Sequence, residues 1–109
     1  MALKLNVFQT VTHVADTGAF VIYTAPVGYT GVVLLAQAAN VGSQTRTVSF
    51  SHKRDAITTE IVKDFPIEAN DTANLLPGKL VLETGDSLEV SASAGFDIKF
   101  IGSILETLN

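Results

Sequence analysis

Short runs of alternating apolar and polar residues, separated by turn residues about every eight to twelve positions, limit the fold of this chain more than any other feature. The clearest case is the segment 75–90, which contains one turn at Pro77-Gly78 and a second at Gly85-Asp86. A Gly-Asp pair between two alternating runs is typical of a two-residue hairpin loop, because glycine adopts the positive φ that a type II′ turn needs at its first central position. We therefore predict a β-hairpin that turns at Gly85-Asp86.

The same pattern continues along the chain and predicts a further set of short strands. They cover residues 3–14, 19–24, 30–39, 44–52, 57–63, 72–76 and 96–105, and residues 64–67 are predicted either to continue the strand 57–63 past a kink or to join the second sheet. No stretch of useful length has a helical period, and 109 residues with 47% hydrophobic side chains are enough for one domain with one core. We therefore predict an all-β fold, a single antiparallel β-sandwich, jelly-roll-like, of about eight strands. Residues 1–17 are predicted to form an N-terminal arm or first strand, and residues 18–109 the sandwich domain.

Apolar residues occupy both faces of the predicted strand 30–39. One face holds Val32, Leu34 and Ala36, and the other holds Val33 and Leu35. Such a strand is either central and covered on both sides, or its outer face meets another subunit. A helix is the competing interpretation. We favour a strand because Gly31 precedes the run, a Val-Val pair opens it, and turn residues end it at the length of a strand.

Charge and hydropathy restrict the partners. The chain has 7 basic and 11 acidic residues, and its net charge of −4 argues against a nucleic-acid partner, which would need a basic surface. The densest basic cluster, His52-Lys53-Arg54, is followed at once by Asp55 and is predicted to be a solvated turn. The longest apolar run, residues 32–36, is far shorter than the roughly twenty residues of a membrane helix. A mean hydropathy of +0.35 predicts that neighbouring molecules cover some apolar surface.

The residue types that carry chemistry do not form a recognisable site. Cysteine is absent, which excludes disulfides and thiolate metal sites. A Ser-His-Asp triad is not expected, because Ser51 and His52 are neighbours on one strand and point to opposite faces. The acidic residues between Asp55 and Asp71 lack the Asp-x-Asp spacing of a calcium loop, so they are predicted to form a solvated edge that discourages aggregation. We therefore predict no enzyme activity, no cofactor and no metal ion.

Several turn and strand motifs, taken in their order and spacing, carry a family resemblance. They are Tyr23-Thr24-Ala25-Pro26-x-Gly28, Ala36-Gln37-Ala38-Ala39-Asn40-Val41, Thr47-Val48-Ser49-Phe50-Ser51-His52, Leu80-Val81-Leu82-Glu83-Thr84-Gly85-Asp86-Ser87 and Ser103-Ile104-Leu105-Glu106. With these motifs, the chain resembles the small structural virion proteins of tailed phages, in particular those of contractile-tailed phages that infect cyanobacteria. The likeness runs from about Phe20 to the C-terminus.

The resemblance implies a non-enzymatic β-sandwich that is present in many copies on a virion and binds other virion proteins. It implies assembly in the host cytoplasm, and it supplies no catalytic residue. Within that class we favour a capsid decoration (cement) protein. A tail, neck or baseplate accessory or fibre adaptor is the alternative, and a carbohydrate- or receptor-binding module is a second alternative.

The residues predicted to contact the partner lie in two segments. The arm would add a strand to an exposed sheet edge of a neighbouring protein, and the strand with two apolar faces would form an interface between copies in a homo-oligomer. Tyr29 is predicted to be a surface anchor for a ligand or partner. The full set of predicted contact residues is Leu3, Leu5, Val7, Phe8, Tyr29, Val33 and Leu35. No nucleic-acid or membrane partner is predicted.

Overall fold

The computed structural model of this protein describes residues 5–109, and two antiparallel sheets account for most of that part of the chain. Its nine strands are β1 (Asn6–Val14), β2 (Phe20–Thr24), β3 (Tyr29–Asn40), β4 (Arg46–Arg54), β5 (Ile57–Ile67), β6 (Thr72–Asn74), β7 (Leu80–Leu82), β8 (Ser87–Ala92) and β9 (Ile98–Leu108). The predicted all-β fold is confirmed, and so is the prediction of a β-sandwich with antiparallel strands.

The two sheets divide the strands in a regular way. The first sheet, which we call sheet A, has the order β1-β9-β3-β6, and β7 pairs with β3 next to β6. The second, sheet B, has the order β2-β8-β4-β5. The pairings are nested along the chain, since the first strand pairs with the last, the second with the eighth, the third with the seventh and the fourth with the fifth. All four pairings are antiparallel.

The core lies between the sheets and follows from the alternation of side chains along each strand. On β8, Leu88, Val90 and Ala92 are buried, and on β9, Ile98, Phe100 and Ile104 are buried, as predicted for both strands. Phe50 of β4 stacks on Phe100 across the interior, with ring centroids 5.4 Å apart. Burying each such side chain stabilises the fold by roughly 2 kcal/mol.

The predicted hairpin at Gly85-Asp86 is wrong. β7 pairs with β3 in sheet A, whereas β8 pairs with β2 and β4 in sheet B, so the segment between them crosses from one sheet to the other. The turn itself spans residues 83–86 and closes with a 2.9 Å hydrogen bond from the Asp86 amide to the Glu83 carbonyl. Gly85 has a φ of +89° at the third position of this turn, which is the geometry of a type II turn rather than type II′.

A β-bulge in β3 places Val33 and Leu35, which were predicted to share a face, on opposite faces of the strand. The register with β9 shifts between Val33 and Leu35, so Leu34 is the extra residue. Gly31 and Val33 point into the core before the bulge, and the residues that point inward after it are Ala36, Ala38 and Asn40. Val33, predicted as a contact residue, is only 1% exposed and belongs to the core, so a partner cannot reach it.

β1 is an integral strand of sheet A. Its nine residues pair with β9 without interruption, from Asn6 opposite Thr107 to Val14 opposite Lys99. Val7 and Phe8, predicted as part of an arm on a neighbouring protein, therefore pair within their own molecule. Leu3 lies outside the described residues.

Candidate partner interface

Four apolar side chains form a row across the outer face of sheet A. Phe8 lies opposite Leu105, Leu105 opposite Val32, and Val32 opposite Val81, so the row crosses β1, β9, β3 and β7 in register. The alternation of each strand turns these side chains away from the core, because their neighbours in sequence, such as Ile104, are buried. Phe8 is 75% exposed and Val81 is 56% exposed. We call these four residues the apolar row.

Further apolar side chains lie beside the apolar row. The bulge places Leu34 on the outer face, where it is 39% exposed and lines a shallow depression together with Phe8 and Ser103. Leu35 lies opposite Ser103 and is half-buried. Ile101 lies further along β9 and is 43% exposed. Contiguous exposed apolar surface of this kind marks interaction sites in soluble proteins.

The outer face of sheet B has the opposite chemistry. Its cross-strand pairs between β4 and β8 are Ser49 with Ser91, Ser51 with Glu89 and Lys53 with Ser87. A shallow concavity on this face is lined by Ser49, Ser51 and Ser91 together with Glu60 and Lys63. The centre of the outer face of sheet B is therefore serine-rich, although Val21 beside it is 41% exposed. The apolar row crosses the outer face of sheet A, which suits a dry protein contact better.

The basic residues at the end of β4 are not a solvated turn, contrary to the prediction. Arg54 binds the Asp86 carboxylate with two hydrogen bonds, of 2.8 Å from Nε and 2.7 Å from Nη2, and His52 Nε2 lies 3.1 Å from the same carboxylate. The Glu83 amide donates a further bond of 2.9 Å to Asp86. Asp86 is 2% exposed, so this carboxylate fastens the crossing between the sheets to β4.

The hydrogen bonds determine the ionisation of Asp86. Those from Arg54, followed by those from His52 and the Glu83 amide, hold the pKa of Asp86 well below its ordinary value, although burial acts in the opposite direction. Both carboxylate oxygens are occupied by these partners, so Asp86 has a structural role and is not placed to act as a general base. His52 and Ser51 lie on opposite faces of β4, as predicted from their adjacency.

Two other buried polar groups connect parts of the fold. The Tyr23 hydroxyl of sheet B donates to the buried Glu106 carboxyl of sheet A. Burial, together with the hydrogen bond to Glu106, raises the pKa of Tyr23 well above its ordinary value. Asn40 donates to the carbonyls of Gln44 and Ile67, at 2.7 and 2.9 Å.

The buried polar side chains of residues 5–109 are fully hydrogen-bonded. Every buried side-chain nitrogen or oxygen in this range has a hydrogen-bond partner. The same residues contain no cluster of three or more His, Cys, Asp or Glu side chains that could hold a metal ion. Residues 5–109 contain no helix that is long and apolar enough to cross a membrane.

The structure distributes the predicted contact residues over different environments. Phe8 and Leu35 lie on the outer face of sheet A, Val7 points inward and is half-buried, and Leu5 is 71% exposed just before β1. Tyr29 begins β3, is half-buried, and accepts a 2.7 Å hydrogen bond at its carbonyl from the Thr84 hydroxyl. These positions do not form one surface.

Sequence reasoning missed three members of the apolar row, namely Val32, Val81 and Leu105. Each was assigned to a strand, but the row exists only because β1, β9, β3 and β7 lie side by side in one register. No local pattern specifies that arrangement. The available signal was the mean hydropathy of +0.35, which predicted covered apolar surface without locating it.

Comparison with known proteins supports the fold. No protein-family model and no curated protein matches the chain. Among solved structures, it is similar to a chain from the T13 particle of infectious bursal disease virus, with a TM-score of 0.59, 11% identity and coverage of 97% of this chain and 32% of the other. The chain thus spans about a third of the viral one.

Two similar chains have nearly the same length as this protein. One comes from the acid-stable capsid of Helicobacter pylori bacteriophage KHP30, with a TM-score of 0.57, 11% identity and coverage of 96% of this chain and 89% of the other. The second comes from Bacillus endospore appendages, described as disulfide-linked pili, with a TM-score of 0.54, 17% identity and coverage of 99% and 93%. At these identities, the likeness establishes that the chain shares a β-sandwich fold with chains of viral particles and of a pilus.

Proposed function

We propose that this protein is a non-enzymatic structural component of a virion, and specifically a decoration (cement) protein on a phage capsid. The observation that carries the proposal is the difference between the two outer faces. The apolar row on sheet A suits a dry contact with another virion protein, and the serine-rich face of sheet B suits water. The protein would lie on the shell with sheet A inward and sheet B outward.

The comparisons support a role in a virion. Two of the similar chains belong to viral particles, and the one from bacteriophage KHP30 is of similar length, so a sandwich of this size occurs as a separate chain in a phage capsid structure. The nested strand pairing supports the jelly-roll part of the predicted fold. The pilus chain is described as disulfide-linked, and this protein has no cysteine with which to form such links.

The mechanism follows from the number of copies. A single contact through the apolar row involves few side chains and is weak by itself. Many copies arranged with the symmetry of a shell add their contacts, so capsid proteins joined by several such copies separate less easily. The partners are other virion proteins and further copies of this chain. Neither a nucleic acid nor a membrane has a role in this account.

The N-terminal residues extend the proposal. Leu5 is 71% exposed at the end of β1 that lies beside the apolar row. We place Leu3 and Leu5 against the neighbouring virion protein, together with Phe8. Residues 1–17 would then provide both the first strand of the sandwich and a contact segment, and residues 18–109 the remainder of the domain. Assembly would take place in the host cytoplasm.

Imaging of virions with and without the gene product tests this function. Particles that contain the protein should show one additional density of about 11.5 kDa at repeated positions on the head. Density at the neck, tail or baseplate would replace the decoration role with that of an accessory protein. Identical particle images for the two preparations would exclude a structural role in the virion.

A further inference from the structure

β1 is a long sheet edge without the usual protection against strand pairing. Its nine residues carry no Lys, Arg, Asp, Glu or Pro, and its pairing with β9 has no bulge. Natural edge strands are normally kept short or are interrupted by charges, proline or bulges, because a free edge recruits other strands. β1 has none of these features.

The other edges that the structure describes are protected. β5 is the only other long edge, and it contains Lys63 and Pro66, an Asp64 with a φ of +49°, and two shifts in its register with β4. β2 has five residues, and β6 and β7 have three each. The lack of protection is therefore specific to β1.

The hydrogen bonds at the two ends of β1 identify the backbone groups that face outward. The Leu5 carbonyl accepts from the Leu108 amide, and the Ala15 amide donates to the Ile98 carbonyl, so the odd-numbered residues bond to β9. Because hydrogen-bonding direction alternates along an antiparallel strand, the even-numbered residues direct their N–H and C=O groups to the free edge. These residues are Asn6, Phe8, Thr10, Thr12 and Val14.

We propose that β1 pairs with β1 of a second copy, antiparallel, around a two-fold axis that passes between the two Val11 residues. An even-numbered residue must face an even-numbered one for the free groups to bond, which permits only alternate registers. In the register centred on Val11, Phe8 faces Val14 and Thr10 faces Thr12, each across the dimer. Like side chains thus meet on the outer face, which is the favourable case for cross-strand pairs. Sheet A becomes continuous through both copies.

An exposed side chain next to β1 also supports pairing with a second copy of this protein. Phe20 of β2 stacks on His13 with ring centroids 4.8 Å apart, yet 58% of Phe20 is exposed, so an exposed apolar side chain lies beside β1 on its inner side. Phe8 is 75% exposed as well, so a second copy would cover apolar surface at both positions. A contact along one strand edge is smaller than a standard interface, so we expect the free protein to dimerise weakly. The proposal does not require that the protein lie on a virion.

A cysteine at the axis tests the pairing directly. The chain contains no cysteine, so Val11→Cys can form a disulfide only between two copies at this position. In a non-hydrogen-bonded antiparallel pair the Cα atoms lie about 4.5 Å apart, which is within the range for a disulfide. We expect Val11→Cys to form covalent dimers under mild oxidation at micromolar concentration. Thr58→Cys, an exposed position on β5, should remain monomeric. Equal yields of dimer from the two folded variants would overturn the proposal.

Charge variants provide a second readout that leaves the core intact. Thr12→Glu places a like charge from each copy near the axis. Sedimentation equilibrium should show a dimer dissociation constant at least tenfold higher than that of the wild type. Adding Thr10→Lys puts each introduced lysine opposite the introduced glutamate of the other copy, and we expect affinity to return to within about threefold of wild type. A wild-type protein that remains monomeric at about 1 mM, or a Thr12→Glu variant that dimerises equally well, would contradict the pairing.

Discussion

At the scale of single residues, the fold depends on a few buried polar groups that join the sheets. Asp86 is the clearest, because its carboxylate holds the crossing segment against Arg54 and His52 on β4. An apolar side chain would leave these donors without their acceptor at a position that is 2% exposed. The sequence suggests Asp86 only as a turn residue, since its side-chain partners Arg54 and His52 lie more than thirty positions away along the chain.

We expect Asp86→Asn to lower the free energy of unfolding at pH 7 by about 2 kcal/mol, because it removes a charged acceptor from Arg54. The folded-state pKa of Asp86 lies below its unfolded value, so its stabilising effect is complete above about pH 4 and is lost as the pH falls further. Urea unfolding of both proteins from pH 7 to pH 2 should therefore show a difference that shrinks in acid. A difference that is independent of pH would contradict the role of the carboxylate.

Tyr23→Phe tests the hydrogen bond from Tyr23 to Glu106, which joins the two sheets and should weaken at high pH. Loss of the hydroxyl leaves the buried Glu106 carboxyl without its donor, and we expect the free energy of unfolding to fall by about 2 kcal/mol. The folded-state pKa of Tyr23 is raised, so its contribution is complete below pH 10 and is lost above it. Denaturant titrations from pH 7 to pH 11 measure this directly, and wild type and Tyr23→Phe of equal stability at pH 7 would exclude a stabilising role for this hydrogen bond.

At the scale of elements, the sequence predicts which segments are strands better than it predicts how they pair. The inward faces of β8 and β9 follow from strict alternation, and both are as predicted. The hairpin at Gly85-Asp86 is wrong because a Gly-Asp turn is compatible with both a hairpin and a crossing, and long-range pairing with β3 decides between them. The faces of β3 are only partly as predicted, because a single bulge at Leu34 interrupts the alternation and separates Val33 from Leu35.

Deletions in β3 test the bulge. Removing Leu34 should leave Val33 and Ala36 pointing inward in a regular strand, so we expect a loss of less than about 2 kcal/mol in the free energy of unfolding. Removing Gln37 instead shifts the end of β3 by one residue and moves Asn40 out of its buried site, so that variant should not fold. Circular dichroism and thermal unfolding distinguish the two. Equal damage from both deletions would show that the bulge is needed for the fold.

At the scale of the whole molecule, the composition predicted that some apolar surface is covered, but it did not predict which outer face carries that surface. The mean hydropathy indicated apolar surface covered by neighbours, and the register of sheet A gathers that surface into the apolar row. Of the predicted contact residues, Phe8 and Leu35 lie on that face. Val33 does not, because the bulge directs it into the core. A single sequence specifies strands locally, whereas a surface composed of four strands depends on which strands lie side by side.

The central claim is that the apolar face of sheet A holds the protein on a particle. The most direct measurement is the occupancy of particles that lack the protein after incubation with purified variants. Val81→Glu places a charge in the apolar row at a position that is 56% exposed, so it should fold and yet lose about 3 kcal/mol of binding, or about a hundredfold in affinity. Thr58→Glu on the outer face of sheet B is the matched control and should bind as wild type does. Full occupancy by Val81→Glu, or loss of binding by Thr58→Glu alone, would contradict the account.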